Sequence, residues 1–247
     1  MKTAGLVSLS LFNVTALAAF FTYVNHKGQA VSEPTVRPDP LTRNSPSEAV
    51  LETDGTKDSY SLTALDLPQL RGDFDRCLAT LENLDIEYEV LGDQRRRSCS
   101  LTQQVSLTSG QIDYAVPFQA TCTMIAAIAL WEEQAVQQSA REYLGEEIAR
   151  IHHYGSFSCR PIRRDPSNMS AHASGSALDV SAFETVSGRM IAVYGNWDRQ
   201  DSVGQFLHAI RDRSCEIFPG VLGPDYNYDH RNHFHLEYTS RRHRVCD

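Results

Sequence analysis

The sequence predicts an α+β fold, a mainly antiparallel sheet with flanking helices, held by disulfides. Three observations carry that prediction. Strand-like pieces with a two-residue period recur along the chain without the regular βαβ alternation of a parallel sheet. Two amphipathic helical patterns stand apart from those pieces. The six cysteines, Cys77, Cys99, Cys122, Cys159, Cys215 and Cys246, are scattered, even in number and free of C-x-x-C spacing. That pattern points to structural disulfides in an exported domain, not to a zinc ribbon or redox motif.

In chain order, the first feature is an uncharged run of 21 residues from Ala4 to Val24. At a helical rise of about 1.5 Å per residue it is long enough to cross a bilayer. Ala16-Leu17-Ala18 resembles a small-residue cleavage site, but "AFFTYV" prolongs the apolar run beyond it. We therefore read residues 1–24 as an uncleaved membrane anchor, with a secretory signal peptide as the alternative. Either reading sends the rest of the chain into the periplasm. Residues 25–66 are polar and contain Pro34, Pro38, Pro40 and Pro46, the composition of a flexible linker. The expected folded domain is 67–247.

Within that domain, "CLATLENL" (77–84) suggests a short helix and "IEYEVL" (86–91) a strand. From Ala120 to Leu144, Met124, Ile128, Trp131 and Ala135 recur at three- and four-residue steps, and Gly145 follows as a stop. "ARIHHYGSFS" (149–158), "ALDVSAF" (177–183), "MIAVYG" (190–195) and "HFHLEY" (233–238) read as strands. Val203, Phe206, Leu207 and Ile210 mark the second amphipathic helix, which Pro219-Gly220 closes. A local Cys77–Cys99 bridge is the expected pairing nearest in sequence.

The formal net charge of −8 gives no support to a nucleic-acid partner, because phosphate binding needs a cationic field. The short clusters Arg95-Arg96-Arg97 and Arg241-Arg242-His243-Arg244 read as solvated surface.

Two segments carry candidate chemistry. In "HFHLEY", side chains two apart share a face, so His233, His235 and Glu237 oppose Phe234, Leu236 and Tyr238. In "SAHASGSALDVSAF" (170–183), Asp179 lies opposite Leu178 and Val180, and Gly175 lets the chain turn His172 back beside it. Two histidines and a carboxylate suit zinc, whose catalytic sites use three protein ligands and leave one position for water. His152, His153, His208 and His243 receive no role.

These motifs resemble a known group. "SAHASGSALD" matches the S-x-H-x-x-G-x-A-x-D signature of LAS-type zinc peptidases, which include D-Ala-D-Ala carboxypeptidases and penicillin-insensitive murein endopeptidases. "SCR" (158–160), "VLGPDYN" (221–227) and "HRNHFHLEY" (230–238) are similar to the bacterial extensin-like C-terminal domain family over roughly residues 70–247. The resemblance implies zinc ligands at His172, Asp179 and His235, His233 beside the metal, Arg160 facing the scissile carbonyl, and Ser170 as a supporting residue. It also implies murein peptides as substrates, cut at a bond next to a D-amino acid.

One departure stands out. Many LAS peptidases carry a catalytic Glu three residues before the last zinc ligand, where this chain has Asn232. His233 is then the expected acid/base, with Asp229, His230 and Glu237 as further candidates. The alternatives are a non-catalytic, zinc-containing binding module for murein or protein, and a structural zinc site closed by Asp229 or His230.

Overall fold

A computed structural model describes residues 65–241 and 243–247. The expected anchor, and the expected linker apart from its last two residues, lie outside the described residues. Among the described residues no helix is long and apolar enough to cross a membrane.

The domain opens with two short helices, α1 (Leu67–Leu70) and α2 (Phe74–Leu81). The Asp73 carboxylate accepts the Arg76 N–H at 3.0 Å and so starts α2, which turns Cys77 and Leu81 inward. Strands β1 (Glu87–Arg96), β2 (Cys99–Ser109) and β3 (Asp113–Thr121) follow as an antiparallel meander. The strand expected at 86–91 is the start of β1, and β2 and β3 are additions to the sequence reading.

The helical pattern expected from Ala120 begins two residues later. Ala120 and Thr121 complete β3, and the Thr121 hydroxyl accepts the Met124 N–H at 3.3 Å, capping α3 (Cys122–Trp131). All ten residues of α3 are buried, which explains why its sequence is apolar all round. The helix continues through π-helical turns at Glu132–Gln137 and Ala140–Leu144. Gly145, with φ +69°, ends it in the left-handed region, where a glycine carries no Cβ penalty.

The remaining strands are β4 (Ile148–Gly155), β5 (Pro161–Ile162), β6 (Asp165–Met169), β7 (Ala177–Thr185), β8 (Met190–Ala192), β9 (Gly220–Leu222), β10 (Phe234–Glu237) and β11 (Val245–Cys246). Helix α4 (Ser202–Ile217) precedes β9, and the Asp201 carboxylate accepts the Val203 and Gly204 N–H groups at its start. The main sheet runs β1-β2-β3-β4-β7-β10-β9-β11, with β8 also paired to β7. Only β3/β4 and β9/β11 are parallel, so the predicted α+β class with a mainly antiparallel sheet holds. β5 and β6 form a separate small hairpin.

One face of the sheet packs on the helices. Leu178, Val180, Phe234 and Leu236 join Ile125, Trp131, Phe206 and Ile210 in one core. Between His152↔Ala182 and His153↔Val180 the register shifts, leaving Ser181 as an extra residue on β7. The bulge changes the phase of the strand, so Phe183 also reaches the core and meets Trp131 and Phe206.

Three disulfides join Cys77–Cys122, Cys99–Cys159 and Cys215–Cys246. The expected Cys77–Cys99 bridge is therefore wrong. Cys77 faces inward from α2 onto the first residue of α3, whereas Cys99 starts β2 and meets the segment after β4. Proximity in sequence misled because both partners are brought in by tertiary packing.

In a chain-entropy account, closing a loop of 31 residues restricts the unfolded chain by about 3–4 kcal/mol. The Cys215→Ser/Cys246→Ser double variant should lose a comparable amount in denaturant unfolding. It should also release the C-terminal strand β11 first, visible as fast amide exchange at Val245.

Candidate metal centre

Three local features assemble the centre. Ser170 caps a 3-10 turn, Ala171–Ser174, by accepting the His172 N–H with its hydroxyl. Gly175, at φ +70°, then reverses the chain into β7, as the sequence reading required. The positive φ favours glycine there, and a Cβ would also meet Gln104 Oε1 at 2.6 Å, so that side chain would have to move. Finally, β10 pairs with β7 in the register His235↔Asp179, which sets those two side chains directly opposite on one face.

The result is a triangle of ligand atoms. His172 Nε2 lies 3.1 Å from Asp179 Oδ1 and 3.1 Å from His235 Nδ1, and His235 Nδ1 lies 2.9 Å from Asp179 Oδ1. Tetrahedral zinc with ligands at about 2.0–2.1 Å separates its donor atoms by about 3.3 Å, close to these edges. The three residues form the potential metal-holding group found among the described residues.

The groups behind the two imidazoles settle which nitrogens face the centre. His172 Nδ1 is 3.0 Å from the Ser156 carbonyl, which can only accept, so Nδ1 carries the proton. His235 Nε2 lies 3.4 Å from the Glu237 carboxylate, which likewise only accepts, so Nε2 keeps its proton and donates. Both remaining lone pairs therefore point at Asp179 Oδ1, itself an acceptor. Three acceptors within 3.1 Å repel one another unless a cation or proton lies among them. The donor set thus fits a divalent metal, and the carboxylate–histidine arrangement behind it is how proteins orient such ligands.

Residues 75–247 match the family model described as "Extensin-like protein C-terminus". The chain belongs to that family. No curated protein and no solved structure matches it. The extensin-like domain and the described domain coincide almost entirely, so the centre, all three disulfides and the whole sheet lie inside it.

Sequence reasoning underestimated the burial of this face. His233, His235 and Glu237 were expected on an exposed strand face, but they are 9, 7 and 5 % exposed. They line a cleft of about 940 Å³ whose opposite walls include Arg160, Arg163, Arg164, Tyr226 and Asp229. His233 stands beside the triangle, its Nε2 3.6 Å from Asp179 Oδ1, and its Nδ1 donates to Asn232 Oδ1 at 2.9 Å. Arg160 is on the cleft wall; its one hydrogen bond goes to the Pro161 carbonyl at 3.4 Å, and it does not touch the triangle.

The other base candidates separate. Glu237 is held by both nitrogens of Arg241 at 2.6 Å and by the Thr239 hydroxyl, behind His235. Asp229 is paired with Arg163 at 3.0 Å and Arg164 at 3.4 Å. His230 lies inside the site, its ring 5.2 Å from that of His233, with Nδ1 donating to Asn227 Oδ1. The H-x-x-H-x-H spacing of 230–235 was the signal that could have ranked it higher. His152 and His153 turn to Glu184 and the Val116 carbonyl, and His208 to the Trp197 carbonyl, in keeping with their lack of a role.

Electrostatics follow the geometry. Burial opposes charge on Asp179 and Glu237, yet hydrogen bonds outweigh it and hold both carboxyls well below the usual range. For Asp179 they come from His172 and His235 when a ring proton lies between the ligand atoms in place of a metal, for Glu237 from His235, Arg241 and Thr239. Burial pushes His235 down, but Asp179 and Glu237 push it further up, to about 9. Burial, with the charges of His235 and His233, lowers His230 to about 4, and burial also lowers His233.

Without metal, His235 is therefore an imidazolium below pH 9 or so. A ligand nitrogen must be deprotonated, so zinc binding at pH 7 should release about one proton, and affinity should rise roughly tenfold per pH unit until about pH 9. Calorimetry in two buffers of different ionisation enthalpy reads that proton directly. Glu237→Gln should weaken zinc binding about 10–100-fold, since its carboxylate orients His235.

Proposed function

We propose that this domain is a zinc-dependent peptidase that hydrolyses amide bonds in the peptides of cell-wall murein. The observation that carries the reading is the convergence of three lone pairs, from His172, Asp179 and His235, at the floor of an open cleft. The similarity of the S-x-H-x-x-G-x-A-x-D and H-x-H motifs to LAS-type peptidases supplies the substrate class. An arrangement of three protein ligands with one side open suits catalysis better than a closed structural site. Asp229 is held by two arginines, and His230, whose Nδ1 donates to Asn227, stands beside His233 and outside the group of three ligand atoms.

When bound, a zinc ion acts as a Lewis acid and makes a nucleophile of water near neutral pH. The chain's own residues do the rest. His172 and His235 present fixed tautomers, and Asp179 supplies the negative charge. His233, neutral because burial disfavours its charged form, takes up a proton at Nε2 and later returns it to the leaving amine. Asn232, by accepting the Nδ1 proton, keeps the Nε2 lone pair of His233 available. In this reading Asn232 orients the base that many LAS peptidases provide as Glu. Arg160 lines the same cleft, where its guanidinium is the donor this reading assigns to the substrate carbonyl.

Three disulfides form in an oxidising compartment, which supports a periplasmic location. The apolar run at 4–24 would anchor the domain to the inner membrane. A second reading, a zinc-containing module that binds murein or protein without cutting, draws on the absence of a Glu at position 232.

Full-length protein in mild detergent, incubated with purified murein sacculi, decides between them. The peptidase reading expects loss of one defined peptide bond, identified by muropeptide mass, and abolished by chelation or by His172→Ala. His233→Gln should keep its zinc and lose about 10²–10⁴-fold in kcat. Intact murein after treatment with folded, zinc-loaded protein would overturn the peptidase and leave the binding module.

A further inference from the structure

The sequence reading left one cluster without a function, Arg95-Arg96-Arg97. In the fold Arg95 and Arg96 end β1 and Arg97 begins the turn to β2, and the Cys99–Cys159 disulfide ties that hairpin end to the segment carrying Arg160. Arg96 and Arg97 line a shallow groove of about 270 Å³ with Phe157 and Cys159. On the other side of the bridge, Ser98, Ser100 and Arg160 line the main cleft, as do Arg163 and Arg164 at the tip of the β5–β6 hairpin. Groove and cleft meet at the disulfide.

The chain has 31 acidic residues against 23 basic ones, so most arginines find a carboxylate. Arg141 pairs with Glu133 and Glu147, Arg189 with Glu146, and Arg213 with Glu142. Arg71, Arg231 and Arg244 make no ion pair among the described residues either and hold backbone carbonyls instead. What sets the wall beside the cleft apart is therefore the number of arginines near one another in sequence and joined by the disulfide. Among the described residues Arg96, Arg97 and Arg160 make no ion pair: Arg96 bonds Gln94, and Arg160 bonds the Pro161 carbonyl. Arg163 and Arg164 share the single carboxylate of Asp229. The nearby Asp165 is occupied by the Ser167 hydroxyl and the Asn168 amide. All five arginines are exposed, three along the cleft and two along the adjoining groove, and Asp229 is the one carboxylate among the described residues ion-paired to any of them. Guanidinium groups bind carboxylates through paired N–H donors, and such bonds strengthen where the site excludes water.

We infer that Arg96, Arg97, Arg160, Arg163 and Arg164 form a carboxylate-binding wall, so that the substrate is a peptide carrying several free carboxylates along the path from cleft to groove. The word substrate rests on the peptidase reading; the binding of an anionic peptide does not. On an otherwise negative protein, this wall is also where a polyanionic network would be drawn in, over a range of about 10 Å at physiological salt.

Binding tests it without cleavage. Chelator-treated full-length protein would be co-sedimented with native sacculi, with sacculi whose carboxyls have been converted to amides, and with vesicles of anionic phospholipid. Native sacculi should bind in a salt-sensitive manner. Amidation should weaken binding about tenfold or more, and Arg96→Gln/Arg97→Gln, far from the triangle, should weaken it similarly, while unfolding temperature and zinc content stay unchanged. Arg163→Gln/Arg164→Gln should act in the same direction. Equal binding of native and amidated sacculi, or of wild type and both double variants, would overturn the wall. So would salt-sensitive binding to the vesicles with none to sacculi. Cleavage that persists beside such a result would sink this inference alone, whereas binding without any cleavage would sink the peptidase and leave the wall standing.

Discussion

The pairing of β10 with β7 is the constraint on which the rest of the centre depends. His235 opposes Asp179, and a slip of either strand by one residue would set Phe234 opposite Asp179 and turn the moving strand's polar residues toward the core. The register is protected from the other side. Leu178, Val180, Phe234 and Leu236 are fully buried against the helices, so a one-residue slip would expose the two large apolar side chains of the strand that moves. At about 25 cal/mol per Å² of apolar surface, each such exposure costs about 2 kcal/mol. The hydrophobic core therefore holds the metal-binding geometry from behind, and no hydrogen bond between the ligands is needed to keep them together.

What the register brings together is electrostatically unfavourable by itself. Asp179 is four-fifths buried and His172 and His235 nearly wholly so, with lone pairs facing one another. The surroundings are built to sustain this. The Ser156 carbonyl fixes one imidazole, and Glu237 fixes the other while being neutralised by Arg241. A proton or a divalent cation resolves the remaining repulsion, which links folding, protonation and metal content at one point. The same logic gives the carboxylates and histidines around the cleft different environments although their residue types repeat.

The cleft walls are secured by different means. Cys99–Cys159 joins the β1–β2 turn to the loop before the hairpin, Cys215–Cys246 joins α4 to β11, and Trp197 donates its indole N–H to Asp225 in the loop leading to Asn227 and His230. These ties are long-range and irregular in sequence. They hold loops that carry few apolar residues of their own, and loops of that kind commonly bear the specificity of a rigid scaffold.

The sequence by itself determined the ingredients of the site. The alternation in "HFHLEY" separates its polar face from its core face, Gly175 announces the reversal after His172, and apolar periodicity marks α3 and α4, because each of these signals is local. Those cues set His172 beside Asp179 and offer His233 and His235 on one face, and the resemblance to LAS-type peptidases chose His235 between them. Tertiary structure decided everything that depends on pairing between distant segments. It decided that β7 meets β10 in the His235↔Asp179 register and that Glu237 stands behind His235 instead of serving as a base. It also brought His230 to the site, joined Cys77 to Cys122, and gathered arginines from two turns on one wall. Strands β2 and β3 were missed for a related reason: their outward Ser, Thr and Gln weaken the alternation, and only the neighbouring strands make them a sheet. Local chemistry is written in neighbouring residues, whereas register, burial and charge compensation arise only when remote residues meet.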